Sequence, residues 1–361
     1  MIKTKHLIIM ALLAIVTPIL FSACKKDRNN DPEQEMLSPG PDVNFYALTA
    51  DGKLLLINAK NPNSVTAQVT VSGLQSGETI LGIDFRPATG QLYGLGSTSR
   101  LYVIDPKTGA ARSISAAPFT PALSGTSVGF DFNPTVDRIR VVTSSGQNLR
   151  LNPETGTVAA TDGMVNGVAN AKVSSVAYTQ NKAGASTTVL FDIDIANDKL
   201  HKQDPPNDGK LVEIGSLGFD FEDIGGFDIN PDGTAALAAL TTGGKSGLYL
   251  IDLTTGKASK INKIDQQITG IAIPTEAVAY AVSNNNELLI FNPLAASPTL
   301  VVKAITGIQP GENILGIDMR PLNGQLFAIG STSRIYSINA SSGLAVMIGT
   351  GPLSTLLTAT Q

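Results

Sequence analysis

The sequence predicts an all-β protein, a β-propeller, from three observations. A strand-then-turn motif of the type "RLYVIDP" occurs seven times, and its Asp or Asn recurs every 40 to 52 residues, the period of propeller blades. Most units divide into four short apolar stretches separated by turns rich in Gly and Pro, as in a four-stranded antiparallel sheet. The phrase "GIDFRPATGQLYGLGSTSRLY" at 82–102 returns at 316–336 with 14 of 21 residues identical. We therefore predict seven four-stranded blades, with six or five as alternatives.

Residues 1–23 have the pattern of a bacterial lipoprotein signal peptide. Two lysines precede an apolar run from Leu7 to Phe21, and the segment ends in "FSAC", which is too short and wrongly flanked for a membrane span. Cys24 is the only cysteine of the chain. We expect cleavage before Cys24 and lipid modification of this residue, whose acyl chains would anchor the protein firmly. An ordinary signal peptide followed by an unmodified cysteine is the alternative.

Residues 24–43 are polar, rich in Pro and without periodicity, as in a disordered tether. The propeller domain is then 44–361. Together these segments predict an exported protein of the bacterial cell envelope. Its lipid would hold it in the outer membrane, facing the periplasm or the cell surface.

Closure of the ring concerns the first strand of each unit, which would lie innermost. Six units begin with such a strand, near Gly82, Gly129, Ser175, Gly226, Gly270 and Gly316. The N-terminal unit, "NFYALTADGKLLLINAKNP", has none, and an open sheet edge invites aggregation. We expect the C-terminal "STLLTATQ" (354–361) to pair with "NFYALTA", so that N- and C-terminal strands share one blade.

The repeated phrase and "GFDFNPTVDRIRVVTSSGQNLRLNPETG" at 129–156 resemble a family of bacterial secreted and surface proteins known as domain of unknown function 4394. The resemblance covers 44–280 as one full copy and 280–361 as a partial second copy. It implies a propeller-like fold. It brings no established activity, and it therefore assigns no catalytic residue.

Carboxylates recur at one place in the innermost strands. The residues at that place are Asp84, Asp131, Asp228 and Asp318, with Ala177 and Ala272 in two other units. Two positions further on stand Arg86, Asn133, Asn230 and Arg320. Strand alternation places the aspartates on the channel face, where they could bind Ca²⁺, Mg²⁺ or a polar small molecule. Alternatively they accept backbone N–H bonds or pair with arginines between blades, and recurrence in several units favours this structural role.

A second candidate group is Asp137, Arg138 and Arg140 in "VDRIRVV". These residues could form a binding surface, with both arginines on one strand face. An Asp–Arg ion pair between blades is the favoured interpretation.

His201 is the only histidine outside the signal peptide, and we expect it on the surface. A Ser-His-Asp triad would have to use it, and no G-x-S-x-G motif is present. Zinc or copper held by clustered His and Cys is excluded for the same reason. Asp192 and Asp194 share a strand face in "FDID" and give a weak indication of calcium.

The composition is that of a soluble globular protein, with 42% apolar residues, 16% charged residues and a net charge of −4. Nucleic-acid binding is disfavoured because no cationic block follows the N-terminus. The favoured function is a monomeric, non-enzymatic binding or scaffold module without a cofactor, apart from Ca²⁺ as an open case. Its partner would be a protein or a glycan. A Ca²⁺- or Mg²⁺-assisted hydrolase or lyase using the Asp-lined channel and a purely structural envelope protein are alternatives, since the fold does not choose between them.

Overall fold

The structure, a computed structural model, describes residues 37–125 and 127–357. These residues form short strands joined by turns, with one 3₁₀ helix at Pro206–Asp208, which confirms the all-β prediction. The signal peptide, Cys24 and most of the tether lie outside the described residues. No helix in the described ranges is long and apolar enough to cross a membrane.

The described strands form seven antiparallel sheets, which we number in chain order. Sheet one contains β1 (Asn44–Thr49), β2 (Lys53–Asn58) and β3 (Val65–Thr70). Sheet two contains β4 (Ile80–Phe85), β5 (Leu92–Gly96), β6 (Arg100–Ile104) and β7 (Ala111–Ser113). Sheet three contains β8 (Val128–Asn133), β9 (Arg138–Thr143), β10 (Asn148–Asn152) and β11 (Thr157–Thr161). Sheet four contains β12 (Val173–Tyr178), β13 (Leu190–Asp194), β14 (Lys199–Gln203) and β15 (Leu211–Ser216).

The second half of the chain continues this pattern. Sheet five contains β16 (Asp223–Ile229), β17 (Ala236–Thr242), β18 (Lys245–Ile251) and β19 (Ala258–Lys263). A single strand, β20 (Ile268–Ala272), follows it. Sheet six contains β21 (Ala279–Val282), β22 (Glu287–Phe291) and β23 (Val301–Ala304), and sheet seven contains β24 (Ile314–Arg320), β25 (Gln325–Gly330), β26 (Ile335–Ile338) and β27 (Ala345–Ile348).

The recurrent Asp or Asn of the sequence motif opens the turn between the last two strands of a sheet. In sheet two, Asp105 accepts the N–H of Lys107 through its side chain at 2.8 Å, and its carbonyl accepts the N–H of Gly109 at 2.8 Å. Gly109 has φ of 76°, a left-handed conformation that glycine adopts without steric cost. The local sequence therefore fixes where the strand before the last one of each sheet ends.

β20 completes sheet one. It pairs antiparallel with β1, with Tyr46 opposite Ala272, so that the strand order is β20-β1-β2-β3. The predicted pairing of β1 with 354–361 is wrong, because β1 is bonded to β2 on one edge and to β20 on the other. Residues 354–357 are not in a strand, and 358–361 lie outside the described residues.

The first five sheets contact one another in a cycle through their innermost strands, in the order β20, β4, β8, β12, β16 and back to β20. This arrangement is propeller-like. Apolar side chains fill the space between neighbouring sheets. Between sheets two and three this core includes Tyr93, Leu101 and Phe132, each 0% exposed. Sheets six and seven form a separate core of their own, and sheet six has three strands.

Candidate functional site

Three of the four predicted channel aspartates come together. Asp84 on β4, Asp131 on β8 and Asp228 on β16 are each 1% exposed, and one oxygen of each lies within 4.8 Å of the others. We call these residues the aspartate trio. The fourth, Asp318, is exposed on β24, which is not one of the strands in the five-sheet cycle.

Each residue of the trio links its strand to the next sheet by accepting a backbone N–H. The pairs are Asp84 with Phe132 at 2.7 Å, Asp131 with Tyr178 at 2.9 Å and Asp228 with Ile273 at 2.5 Å. Asp84 and Asp228 use their other oxygen for the N–H of the following residue. The other oxygen of Asp131 has no hydrogen-bond partner among the described residues. The trio therefore joins adjacent inner strands.

Burial raises the pKa of every carboxyl group in the trio. For Asp84, burial acts together with the charge of Asp228, and for Asp131 it acts with the charges of both neighbours. Burial raises the pKa of Asp228 to about 7. Carboxyl groups this close cannot all ionise without a large repulsion. At neutral pH the trio can hold protons, or its oxygens can accept a hard cation such as Ca²⁺.

Arg86, two positions after Asp84, is 1% exposed and pairs with Asp137 of sheet three. Its Nε donates to Asp137 Oδ1 at 2.8 Å, and its Nη2 donates to Asp137 Oδ2. The same Nη2 lies 3.3 Å from Glu154 Oε1. Its Nη1 also donates to the carbonyl of Asn323 in the β24–β25 turn at 2.9 Å. Arg86 thus connects sheets two and three with sheet seven, and it joins two candidate groups that lie apart in the sequence.

The other predicted polar residues are not brought to the trio. Asn133 and Asn230 accept N–H groups of their own turns, from Thr135 at 2.9 Å and Ala235 at 2.8 Å. Arg320 is exposed on β24. These residues serve the turns or face solvent.

Arg138 and Arg140 differ in environment. Arg138 donates to the carbonyl of Asp137 at 2.8 Å. Arg140 is 1% exposed and donates to Asp162 at 2.6 Å and to Asn207 of the neighbouring sheet at 2.8 Å. Arg140 therefore takes part in a buried network between sheets three and four.

The expectation that His201 lies on the surface is wrong. It is 0% exposed, opposite Asp192 on β13, and its Nε2 lies 3.5 Å from Asp194 Oδ2. β14 lies between two other strands, and Leu190, which shares the face of Asp192, packs with Val142 of sheet three. Burial raises the pKa of Asp192, and neither of its oxygens has a partner among the described residues.

A pocket of about 520 Å³ opens where the innermost strands begin. Its lining includes Leu81, Ser127, Val128, Ser175, Ile224 and Thr269. We call it the mouth pocket. Among the described residues, its lining contains Asp51, Glu78 and Asp223 but no Lys, no Arg and no residue of the trio. Sequence reasoning missed this site, for which the only signal was the Ser and Thr residues at the start of several inner strands.

Two solved structures are similar to this chain at low identity. One is dihydro-heme d1 dehydrogenase NirN in complex with DHE, at 10% identity, with a TM-score of 0.32 and coverage of 87% of this chain and 74% of that chain. The other is Kuenenia stuttgartiensis hydrazine synthase, at 12% identity, with a TM-score of 0.33 and coverage of 74% and 80%. Both scores are too low to support an inference about this chain.

Comparison with curated proteins gives no match. The family model described as domain of unknown function (DUF4394) matches residues 53–272 and 287–361. The two matched ranges correspond to the five-sheet cycle and to the last two sheets. The chain therefore belongs to the DUF4394 family.

Proposed function

We propose that the protein is a non-enzymatic binding module of the bacterial cell envelope, anchored by lipid on Cys24, with the mouth pocket as its ligand site. The propeller would be a ring of five blades closed by β20. The observation that carries this proposal is the pocket of about 520 Å³ at the converging ends of five innermost strands, because ligand sites are concave and mix apolar surface with a few polar groups.

The chemistry of the pocket favours a small neutral or cationic ligand. Hydroxyl groups and aliphatic side chains line it, and the charged residues of its described lining are all acidic. Glu78 is engaged, since it accepts hydrogen bonds from Thr98 at 2.6 Å and Tyr102 at 2.5 Å. Asp51 forms an ion pair with Lys53 at 2.7 Å, which leaves Asp223 as the exposed carboxylate without such a partner among the described residues. An anionic ligand would find no cationic side chain in the part of the lining that the structure describes.

A metal-assisted hydrolase is the weaker candidate. A catalytic metal keeps an open coordination position that the substrate can reach. The trio is almost fully buried, and none of its residues lines the mouth pocket. These observations support a structural role for the trio within a binding protein.

The proposal is tested with a panel of neutral sugars, choline and putrescine, with citrate and phosphate as anions. Leu81→Trp fills the pocket, and Leu315→Trp is the matched control, since Leu315 holds the equivalent repeat position outside the pocket and is 58% exposed. We expect calorimetry to show one neutral or cationic compound binding wild type and Leu315→Trp equally, with affinity for Leu81→Trp reduced about tenfold or more. Preference for the anions, binding that Leu81→Trp leaves unchanged, or no binding by the panel would contradict it.

A further inference from the structure

Sheet seven repeats sheet two, and its apolar face lacks the cover that sheet two has. Residues 280–347 align with 46–113 at a constant offset of 234. In sheet two the face toward sheet three carries Tyr93, Leu95, Leu101 and Phe119, all at most 3% exposed. The equivalent residues of sheet seven are Phe327, Ile329, Ile335 and Leu353. All four are apolar, Leu353 is 41% exposed, and the other three are half-buried.

The inner strands show the same difference. A Cβ placed on Gly82 of β4 would lie 2.9 Å from the Cβ of Phe130 of sheet three. A Cβ placed on Gly316 of β24 would meet only Ile329 of its own sheet, at 3.8 Å. Gly82 lets an aromatic residue of the next sheet approach its backbone, and Gly316 retains that small size without such a neighbour among the described residues.

The polar side chains of β4 and β24 differ in the same way. Asp84 accepts the N–H of Phe132 in sheet three, and Arg86 pairs with Asp137. Asp318 keeps the bond to its own next residue, from the Met319 N–H at 2.8 Å, but within the described ranges it has no bond to another sheet. Arg320 has no ion-pair partner among the described residues, and both side chains are exposed. Sheet seven thus carries the residues with which sheet two contacts sheet three, but the described residues include no partner for them.

We propose that this face of sheet seven is a docking surface for a β-sheet of a partner polypeptide with the chemistry of sheet three. We call it the sheet-seven face: Phe327, Ile329, Ile335 and Leu353, with Gly316, Asp318 and Arg320 on β24. The partner supplies an aromatic side chain against Gly316, a backbone N–H to Asp318 and a carboxylate to Arg320. β24 is an edge strand of seven residues, the kind of edge on which partner chains pair or pack.

The chemistry excludes other occupants. A lipid surface would cover the apolar residues but would supply neither the backbone N–H nor a carboxylate in fixed register. A second copy of this chain is a poor fit. The sheet that would have to dock is its sheet three, which already packs against its own sheet two. The surface is distinct from the mouth pocket, so the inference goes beyond the proposed function.

The experiment supplies the partner sheet directly. The 234-residue offset aligns Gln361 with Ser127, so a copy of residues 128–163 fused after Gln361 enters in register with sheet seven. We expect the fusion to slow amide hydrogen exchange along β24 about tenfold or more and to reduce binding of an apolar dye. Unchanged exchange along β24 would overturn the proposal.

Charge reversal tests the pairing without perturbing the core. Arg320→Glu is an exposed substitution, and we expect it to restore fast exchange in the fusion. Changing to Arg the fused residue that copies Asp137 should then recover the protection. Absence of both effects would overturn the proposal, as would an unfused dimer in which β24 is already protected, since the occupant would then be a second copy. Circular dichroism of Arg320→Glu confirms that the variant is folded.

Discussion

Asp131→Asn tests whether the aspartate trio holds protons in the folded protein. Asn keeps the oxygen that accepts the N–H of Tyr178 at 2.9 Å. Its amide takes the place of the carboxylate oxygen that has no partner among the described residues, where it can donate to Asp84 or Asp228. The substitution therefore removes one titrating group and preserves the bond to the next sheet.

The expected sign of the effect follows from linkage, and its expected magnitude follows from the distance between the carboxylates. The pKa of Asp131 is raised well above its ordinary value by burial and by the charges of Asp84 and Asp228, so the folded state binds the proton more tightly than the unfolded state. Stability is then fully present below the unfolded pKa and falls as pH rises, by about 1.4 kcal/mol per unit while the folded group stays protonated. The scale of this loss follows from the geometry, since two charges within 4.8 Å of each other repel by roughly 3 kcal/mol or more at an effective dielectric constant near 20.

The assay is urea unfolding of wild type and Asp131→Asn at pH 5 and pH 8 in the presence of a chelator. We expect similar stability at pH 5 and an advantage of about 3 kcal/mol for Asp131→Asn at pH 8. Asp192, whose pKa burial also raises, acts equally in both proteins and cancels in the difference. Asp318→Asn is the matched control and should change little at either pH, because Asp318 is exposed. An equal loss of stability at both pH values would refute the reasoning, since it would show an ionised trio fully compensated by backbone N–H groups. Stabilisation of wild type by Ca²⁺ at pH 8 would show that a cation replaces the protons.

Three further predictions follow from the packing and from the sequence. Arg86→Met leaves Asp137 buried without a cation and should lower the free energy of unfolding in urea by about 3–5 kcal/mol. Arg320→Met, at the exposed equivalent position, should change it by no more than about 0.5 kcal/mol, and equal losses would contradict the role of the ion pair. Deletion of 354–361 should lower Tm by less than about 2 °C, because β1 is already paired on both edges, and a drop of several degrees with aggregation would show that this segment does complete a sheet. Cys24→Ala should abolish incorporation of labelled palmitate in a bacterial host, and a mature N-terminus at any other residue would disprove lipidation there.

The strand pattern could be predicted because it is local. Alternating apolar residues and turn residues with fixed conformational preferences act over a few positions. The inner strands near Gly82 and Gly316 were accordingly placed where β4 and β24 are found. Asp84, Asp131 and Asp228 share one register position for the same reason, and the cycle of inner strands then brings them within 4.8 Å.

The partner of an edge strand could not be predicted in this way. β20 has the sequence of a first strand, which predicts that it begins the unit that follows it. It pairs instead with β1, at the start of the domain. Either neighbour offers the same backbone donors and acceptors, and the choice depends on which pairing buries more apolar surface in the folded domain. His201 was misplaced for a related reason, since a polar strand gives no local sign that another sheet covers it.

The sequence by itself determined the all-β class, the turns, the repeat and the recurrence of an aspartate in the inner strands, because short-range conformational preferences and side-chain alternation encode them. The tertiary structure decided which of these equivalent residues are buried. Asp84 and Asp318 occupy the same place in nearly identical phrases, but Asp84 is 1% exposed and accepts a bond from the next sheet, whereas Asp318 faces solvent. The difference arises because sheet three covers Asp84, whereas no sheet among the described residues lies in the corresponding position beside Asp318. Such a neighbour depends on long-range packing and is not encoded in either phrase.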